Sequence, residues 1–254
     1  CDPHNDKAFA DFELLKHWLP VDLYMGGKEH LVGHLLYSRF WNNFLYDKGL
    51  SPYKEPFKKL VHQGLILGED GNKMSKSLGN VVNPDDVVKK FGADVLRLYE
   101  MFMGPITDNK PWSTANIEGS KKFVDRIHRL YFELDAVKPV SNKNLAKIYH
   151  QTVKKISEDY EAVKINTAIS QAMIFINAVY KEVSEGNAFP KEYAEGFIKL
   201  LNPVIPFITE EIWNVVLGHK NSIAYEKWPD FDPSKCGEDN FEYAVQINSR
   251  IKAK

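Results

Sequence analysis

The dipeptide Gly104-Pro105 separates two stretches with different hydrophobic rhythms, and that change limits the folds open to the chain. Before it, short apolar runs alternate with turn chemistry. After it, apolar residues recur at three- and four-residue spacing over roughly 100 residues, the period of amphipathic helices. In the first stretch, Leu60-Val61 and Leu65-Ile66-Leu67 are bounded by Gly64 and Gly68. They read as strand segments leading into a turn at Glu69-Asp70-Gly71-Asn72, where Gly71 tolerates positive φ. Leu31-Val32, Leu35-Leu36, Phe40-Trp41 and Phe44-Leu45 recur at helical spacing and predict a long buried helix from near Lys28 to a stop at Gly49. In Asn83-Pro84-Asp85-Asp86 a capping residue, a proline suited to the first helical position and two carboxylates favouring the helix N-terminus stand in order. That helix stops at Gly92, and a second begins at about Ala93, carrying Val95, Leu96, Leu98, Tyr99 and Phe102.

In the second stretch, Ser113 or Thr114 caps a helix reaching about Leu134, with Phe123, Ile127, Leu130 and Leu134 on its apolar face. Further helices fit Leu145–Tyr160, Ile165–Val183, Tyr193–Leu201 and Phe207–Leu217, the last two separated by Pro203 and Pro206. The alternation of Tyr243, Val245 and Ile247 fits a strand, with the chain ending before a partner is expected. The expected fold class is therefore α/β plus all-α. Residues 1–103 form the α/β part, residues 104–235 an α-helical bundle, and residues 236–254 the start of a further small domain.

Composition narrows the class. At 44% hydrophobic and 26% charged, the 254 residues exclude a disordered or collagen-like chain. No apolar run approaches the ~18 residues of a membrane span. Two cysteines at opposite ends, Cys1 and Cys236, exclude a disulfide framework and a Cys-x-x-Cys knuckle, which points to a reducing, cytoplasmic setting. The first residue is Cys1 and no leader-like segment follows, so a piece of a longer chain is expected. The net charge of −1 conceals a cancellation. Lys110–Lys155 holds ten Lys/Arg against four Asp/Glu, whereas Glu182–Glu242 holds five against twelve. Such a split suits an anionic partner on one face, and solvated charged helices produce it too.

The segment richest in chemistry is Lys73-Met74-Ser75-Lys76-Ser77, followed by Leu78-Gly79-Asn80. Two ammonium groups three residues apart on a loop can converge on one polyphosphate. When the α–β bond of a nucleotide breaks, charge grows on the departing pyrophosphate, and placed lysines stabilise it more in the transition state than before. Ser75 and Ser77 add donors, and Gly79 permits close approach. Lys/Ser/Gly composition alone also fits a polar hairpin tip. The order of the residues goes further, since Lys-Met-Ser-Lys-Ser-x-Gly-Asn resembles the signature loop of class I aminoacyl-tRNA synthetases.

Gly26-Gly27-Lys28-Glu29-His30 with His34-Leu35-Leu36-Tyr37-Ser38-Arg39-Phe40 is similar to the leucyl-tRNA synthetase form of that segment. Gln63-Gly64, Pro111-Trp112-Ser113 and Asn166-Thr167-Ala168-Ile169-Ser170 add to the likeness, and Val245-Gln246-Ile247-Asn248 looks like the opening of the family's C-terminal domain. The resemblance implies a partial Rossmann-like catalytic domain followed by a bundle of the anticodon-binding type. It also implies a leucine–tRNA ligase whose substrates are leucine, ATP with Mg2+, and the tRNA for leucine. By the same resemblance, Lys73 and Lys76 are catalytic. Gly27, Glu29, His30, Gln63, Ile66, Met74 and Lys76 border ATP, with Gly27 and Glu29 at the ribose and Met74 at adenine. His30 and His34 line the leucine pocket.

Histidines at i and i+4 are also zinc-ligand spacing, but a zincin places Glu inside the pair and here Glu29 precedes it. No bound metal is expected, and buried core histidines are the plainer alternative. Lys122, Arg126 and Arg129 share an arc of a helical wheel, which fits a solvated face or, by the resemblance, the tRNA backbone. The family's His-x-Gly-His nucleotide motif is absent, so the chain is expected to be inactive without a missing N-terminal half. A non-catalytic tRNA-binding module and one subunit of a split enzyme are the competing readings. Isoleucine, valine or methionine as the amino acid is disfavoured by the Gly26–Tyr37 segment.

Overall fold

The computed structural model describes residues 1–237, 245–247 and 250–253. Packing divides the chain into two compact units. One comprises Cys1–Asn83 with Met103–Ser113, the other Pro84–Phe102 with Thr114–Lys254.

The first unit is α/β. Helix α1 (Phe12–Trp18) had no counterpart in the sequence reading; the Asp11 carboxylate caps it, accepting from the N–H groups of Glu13 and Leu14. Strand β1 (Tyr24–Gly27) runs into a 3-10 turn (Lys28–His30), a π-helical turn (Leu31–Leu35) and helix α2 (Leu36–Asp47). Gly49, at φ +70°, ends that run. Strand β2 (Leu60–Gln63) then pairs with β1 in parallel, in register from Tyr24 opposite Leu60 to Gly27 opposite Gln63. Parallel neighbours need a crossover, and here it is helical. Strand β3 (Ile66–Leu67) pairs in parallel with β4 (Lys110–Pro111), flanked by bonds from Lys110 N to Leu65 O and from Trp112 N to Leu67 O. Gly64 is required where these segments meet, because a Cβ there would overlap the backbone of Asp108.

The helix expected from Lys28 to Gly49 exists but is not buried. Leu35 lies inside, whereas Leu31, Val32, Leu36, Tyr37, Phe40, Trp41 and Phe44 are exposed and no residue of α2 is buried. The 3.6-residue period correctly marked a helix; it carries no information about what covers the apolar face.

The second unit is helical. It holds α3 (Pro84–Phe91), α4 (Ala93–Phe102) and α5 (Thr114–His128), the last running into a π-helical turn at Arg129–Glu133. Then come α6 (Lys143–Glu161), α7 (Ile165–Ser184), α8 (Lys191–Leu201) and α9 (Pro206–Glu211), which continues through a π-helical turn at Ile212–Val216. Between them β5 (Val137–Lys138) and β6 (Phe189–Pro190) form a short parallel pair. Leu98, Ile127, Leu130, Phe175, Ile176 and Phe197 sit fully inside one core. The Phe175 ring lies 4.8 Å from that of Phe197. Each such side chain contributes about 1.5–3 kcal/mol on burial.

Helix α4 joins this core rather than the α/β unit. The reason is visible in its polar contacts. The Asp94 carboxylate accepts from Phe207 N at 3.2 Å and Ile208 N at 2.7 Å, and Arg97 donates to the carbonyls of Val204 (3.0 Å) and Pro203 (2.9 Å). Near the end, the strand expected around Val245 has a partner after all. Strand β7 (Val245–Ile247) pairs antiparallel with β8 (Arg250–Ala253); Tyr243 and Asn248 lie outside the described residues. Among the described residues no helix is long and apolar enough to cross a membrane.

Candidate active site

In parallel α/β sheets, ligands gather beyond the carboxyl ends of the strands. In the first unit, three segments singled out in the sequence leave such ends. Gly27 closes β1, Gln63 lies directly across from it at the end of β2, and the lysine-bearing loop follows β3. Gly27 is buried, and the Glu29 carboxylate folds back so closely that a Cβ at 27 would overlap it. The bare glycine leaves room for that approach, with an exposed carboxylate beside a backbone turn, a suitable acceptor for hydroxyl groups. Gln63 is exposed and Ile66 half-buried. Register therefore brings Gly27 and Gln63 together, with the Glu29 carboxylate against Gly27, while Ile66 belongs to the neighbouring β3–β4 pair.

The loop is held by polar bonds. Gly71, at φ +75°, makes the turn expected there, and Gly68 N donates to Asn72 O. Lys73 bridges back to Leu67. The Ser75 hydroxyl lies 2.7 Å from that of Ser77, and Gly79, at φ +66°, closes a tight turn in which Leu78 N donates to Ser75 O. Met74 and Ser75 are half-buried; Lys73, Lys76 and Ser77 are exposed. Among the described residues neither lysine ammonium has a carboxylate or carbonyl partner. The loop thus offers two uncommitted cations on a defined backbone, an arrangement suited to an incoming polyanion.

Two loop residues that the sequence reading did not single out as site residues complete it. Asp70 accepts from the backbone and side chain of Asn72 and from the Asn80 amide; these bonds, the Asn72 N–H foremost, hold its carboxyl below the usual range. Asp-Gly-Asn is a legible turn signal. Nothing local announces that Asn80 reaches back to accept from Ser75 N at 2.8 Å.

His30 ends the 3-10 turn and His34 lies in the π-helical turn, so regular α spacing does not relate them. Both are exposed in this chain, and the His34 ring packs 5.4 Å from Tyr24. Among the described residues no group of three His, Cys, Asp or Glu side chains is placed to hold a metal ion.

In the helical unit, Lys122 and Arg126 lie on α5 and Arg129 opens the turn after it. Lys122 and Arg129 are exposed. The Arg126 guanidinium lies over the Tyr180 ring at 4.7 Å, while the Tyr180 hydroxyl donates to Arg126 O. Burial raises the Tyr180 hydroxyl pKa, against the pull of Arg126 and Arg129. Arg126 is therefore fixed by packing, and the cations beside it reach solvent.

An α/β unit with its loops gathered beyond parallel strand ends, followed by a helical bundle, matches two family descriptions. Residues 6–113 match tRNA synthetases class I (I, L, M and V), and residues 142–254 match the anticodon-binding domain of tRNA ligase. The chain belongs to the class I aminoacyl-tRNA synthetases. Among solved structures it is similar to the ternary complex of Agrobacterium radiobacter K84 agnB2 LeuRS with tRNA and LeuAMS, at 30% identity and a TM-score of 0.82. The match covers 96% of this chain and 34% of that one, so the chain spans about a third of the length of the solved relative.

Proposed function

We propose that this chain is the C-terminal part of the catalytic domain, with the helical tRNA-binding domain, of a leucine-specific synthetase. Such an enzyme joins leucine to ATP, releases pyrophosphate, and passes the leucyl group to its tRNA. The observation that carries the reading is the pair of lysines, Lys73 and Lys76, exposed and without a partner among the described residues, on a braced loop beyond the end of β3. Both face negative charge that grows as pyrophosphate leaves, so they act on the transition state more than on bound ATP. Glu29, folded against Gly27, accepts from the ribose hydroxyls. Met74 and Ile66 supply apolar contact to the adenosine, and His30 and His34 shape the leucine side of the site. Ser75 and Ser77 donate to phosphate oxygens. Magnesium neutralises ATP phosphates and travels with them, since few protein ligands are needed for that role.

Lys122, Arg126 and Arg129 meet the tRNA backbone, where charge matters and base identity does not. Leucine specificity is supported by the Gly26–Phe40 segment and by the likeness to the LeuRS complex. The same one-third coverage supports the expectation that the 254 residues alone do not activate leucine.

The test is amino-acid-dependent ATP–pyrophosphate exchange by the full-length enzyme containing this chain. Lys76→Ala is expected to lower kcat by ~10²–10³, the usual consequence of losing one placed stabiliser of transition-state charge. Its melting temperature should not change, because the Lys76 ammonium has no partner to lose among the described residues. Exchange near wild type refutes the role of the loop, and exchange supported by isoleucine or methionine but not leucine refutes the specificity.

A further inference from the structure

The bonds around the lysine loop form a closed pattern. Asn80 Oδ1 accepts from Ser75 N at 2.8 Å, and its Nδ2 donates to both Asp70 carboxylate oxygens at 3.2 Å and, more weakly, to Lys73 O at 3.4 Å. Only one orientation of the Asn80 amide satisfies an N–H on one side and a carboxylate on the other. Asp70 is held in turn by Asn72, through its N–H at 3.0 Å and its side-chain amide at 3.2 Å. Gly68 makes room for the pair, since a Cβ there would stand 2.6 Å from Asp70 Oδ1 and 2.9 Å from Asn80 Nδ2. One side chain therefore ties the turn before Lys73, the carbonyl of Lys73 and the amide just before Lys76.

We infer that Asp70 and Asn80 are positioning residues, a side-chain bracket that fixes where Lys73 and Lys76 present their ammonium groups. The loop is exposed and has little apolar packing, so its conformation depends on these polar bonds. Asp70 is engaged by amides and forms no ion pair with either lysine, which leaves both cations free for an anion. Without the bracket the lysines are still present but no longer preorganised, and the loss falls on the step in which pyrophosphate charge develops. The inference rests on the loop being the phosphate site proposed above.

The charge-bearing atoms suggest a reciprocal test. Asp70→Asn places an amide against the Asn80 amide, and Asn80→Asp places a carboxylate against Asp70. The double variant Asp70→Asn/Asn80→Asp restores one donor facing one acceptor and keeps an acceptor for Ser75 N. In the full-length enzyme, each single variant and Asn80→Ala should lower kcat for leucine-dependent ATP–pyrophosphate exchange by ~10-fold or more, with KM for ATP changed less than ~3-fold. The double variant should recover to within ~3-fold of wild type, a rescue that mere loss of folding would not give. The inference is overturned if Asn80→Ala stays within ~2-fold of wild type, or if the swap is no better than its parents. Should Asn80→Ala fail to fold, the single and swapped variants decide. Lys76→Ala separates the two layers. If it loses exchange while the bracket variants keep it, the bracket alone fails; if it keeps exchange, the phosphate site itself fails.

Discussion

Asp94→Asn tests why α4 belongs to the helical unit. Asp94 is 8% exposed, and its two oxygens accept from Phe207 N and Ile208 N, the N–H groups that follow Pro206 at the start of α9. Those donors have no partner within their own helix, so the carboxylate caps α9 from a distant point in the chain. Asparagine keeps one acceptor and turns an NH2 towards the other N–H. The loss of one charge-assisted bond and the orphaning of a buried donor cost about 2 kcal/mol, partly offset by removing a buried charge. That corresponds to a fall of roughly 4–8 °C in melting temperature for a unit of this size. The pH dependence has a definite sign. Burial raises the Asp94 carboxyl above its usual value, against the opposing pull of its hydrogen bonds and of Arg97. The folded unit therefore binds this proton more readily than the unfolded chain. The stability Asp94 contributes is fullest below the ordinary aspartate range near 3.8 and declines as pH rises through the raised value. Asparagine does not titrate, so the gap between wild type and variant should widen on going from pH 7 towards pH 4. Urea unfolding followed by fluorescence of the buried Trp213 measures both quantities. A gap under about 0.5 kcal/mol at pH 7 would refute the capping argument, and a gap that narrows on acidification would refute the burial-raised carboxyl.

Two further outcomes follow from the same helical unit. Gly196 of α8 faces the hydroxyl end of the buried Tyr149, which an added methyl would overlap; Gly196→Ala should destabilise by about 1–3 kcal/mol, and Tyr149→Phe in that background should recover part of it, the ring carbon at 2.9 Å remaining close. No recovery in a double-mutant cycle would show that the strain lies elsewhere. His150 accepts from Asp232 N at 3.1 Å through Nδ1, and burial, with Lys235 nearby and against Asp232 and Glu192, lowers its pKa below 6.5. The folded state prefers the neutral ring, so this contribution is present above pH 6.5 and lost as pH falls through the lowered value. Hydrogen-exchange protection of the Asp232 amide should drop between pH 7 and pH 5; unchanged protection would rule the linkage out.

Much of the chain's local structure was legible in the sequence. Pro84 and Gly92 bracket α3, Gly49 and Gly71 adopt the positive φ their positions implied, and α6, α7 and α8 begin and end within two residues of the periodic segments. These features are encoded within a turn or two of backbone, where propensity, capping and glycine freedom act directly. The order of residues from Lys73 to Asn80 and from Gly26 to Phe40 was likewise enough to indicate the family. Helix α1 was missed because its cap, Asp11, is followed by only seven helical residues with one buried apolar side chain, too short for a period to show.

Other properties came only from the tertiary structure. Helical periodicity marked the apolar face of α2 but could not say that it lies open. The Gly26–His30 segment does not name its neighbours; the parallel register of β1 and β2 is what sets Gly27 beside Gln63. The cap of α9 comes from Asp94, 114 residues before Ile208, and the amide that braces the lysine loop comes from Asn80, which no local rule aims at Ser75. Which elements form is decided by energies between neighbours in sequence. Which of them share a core, and which side chains converge on a ligand, is decided by contacts that exist only once distant segments have packed.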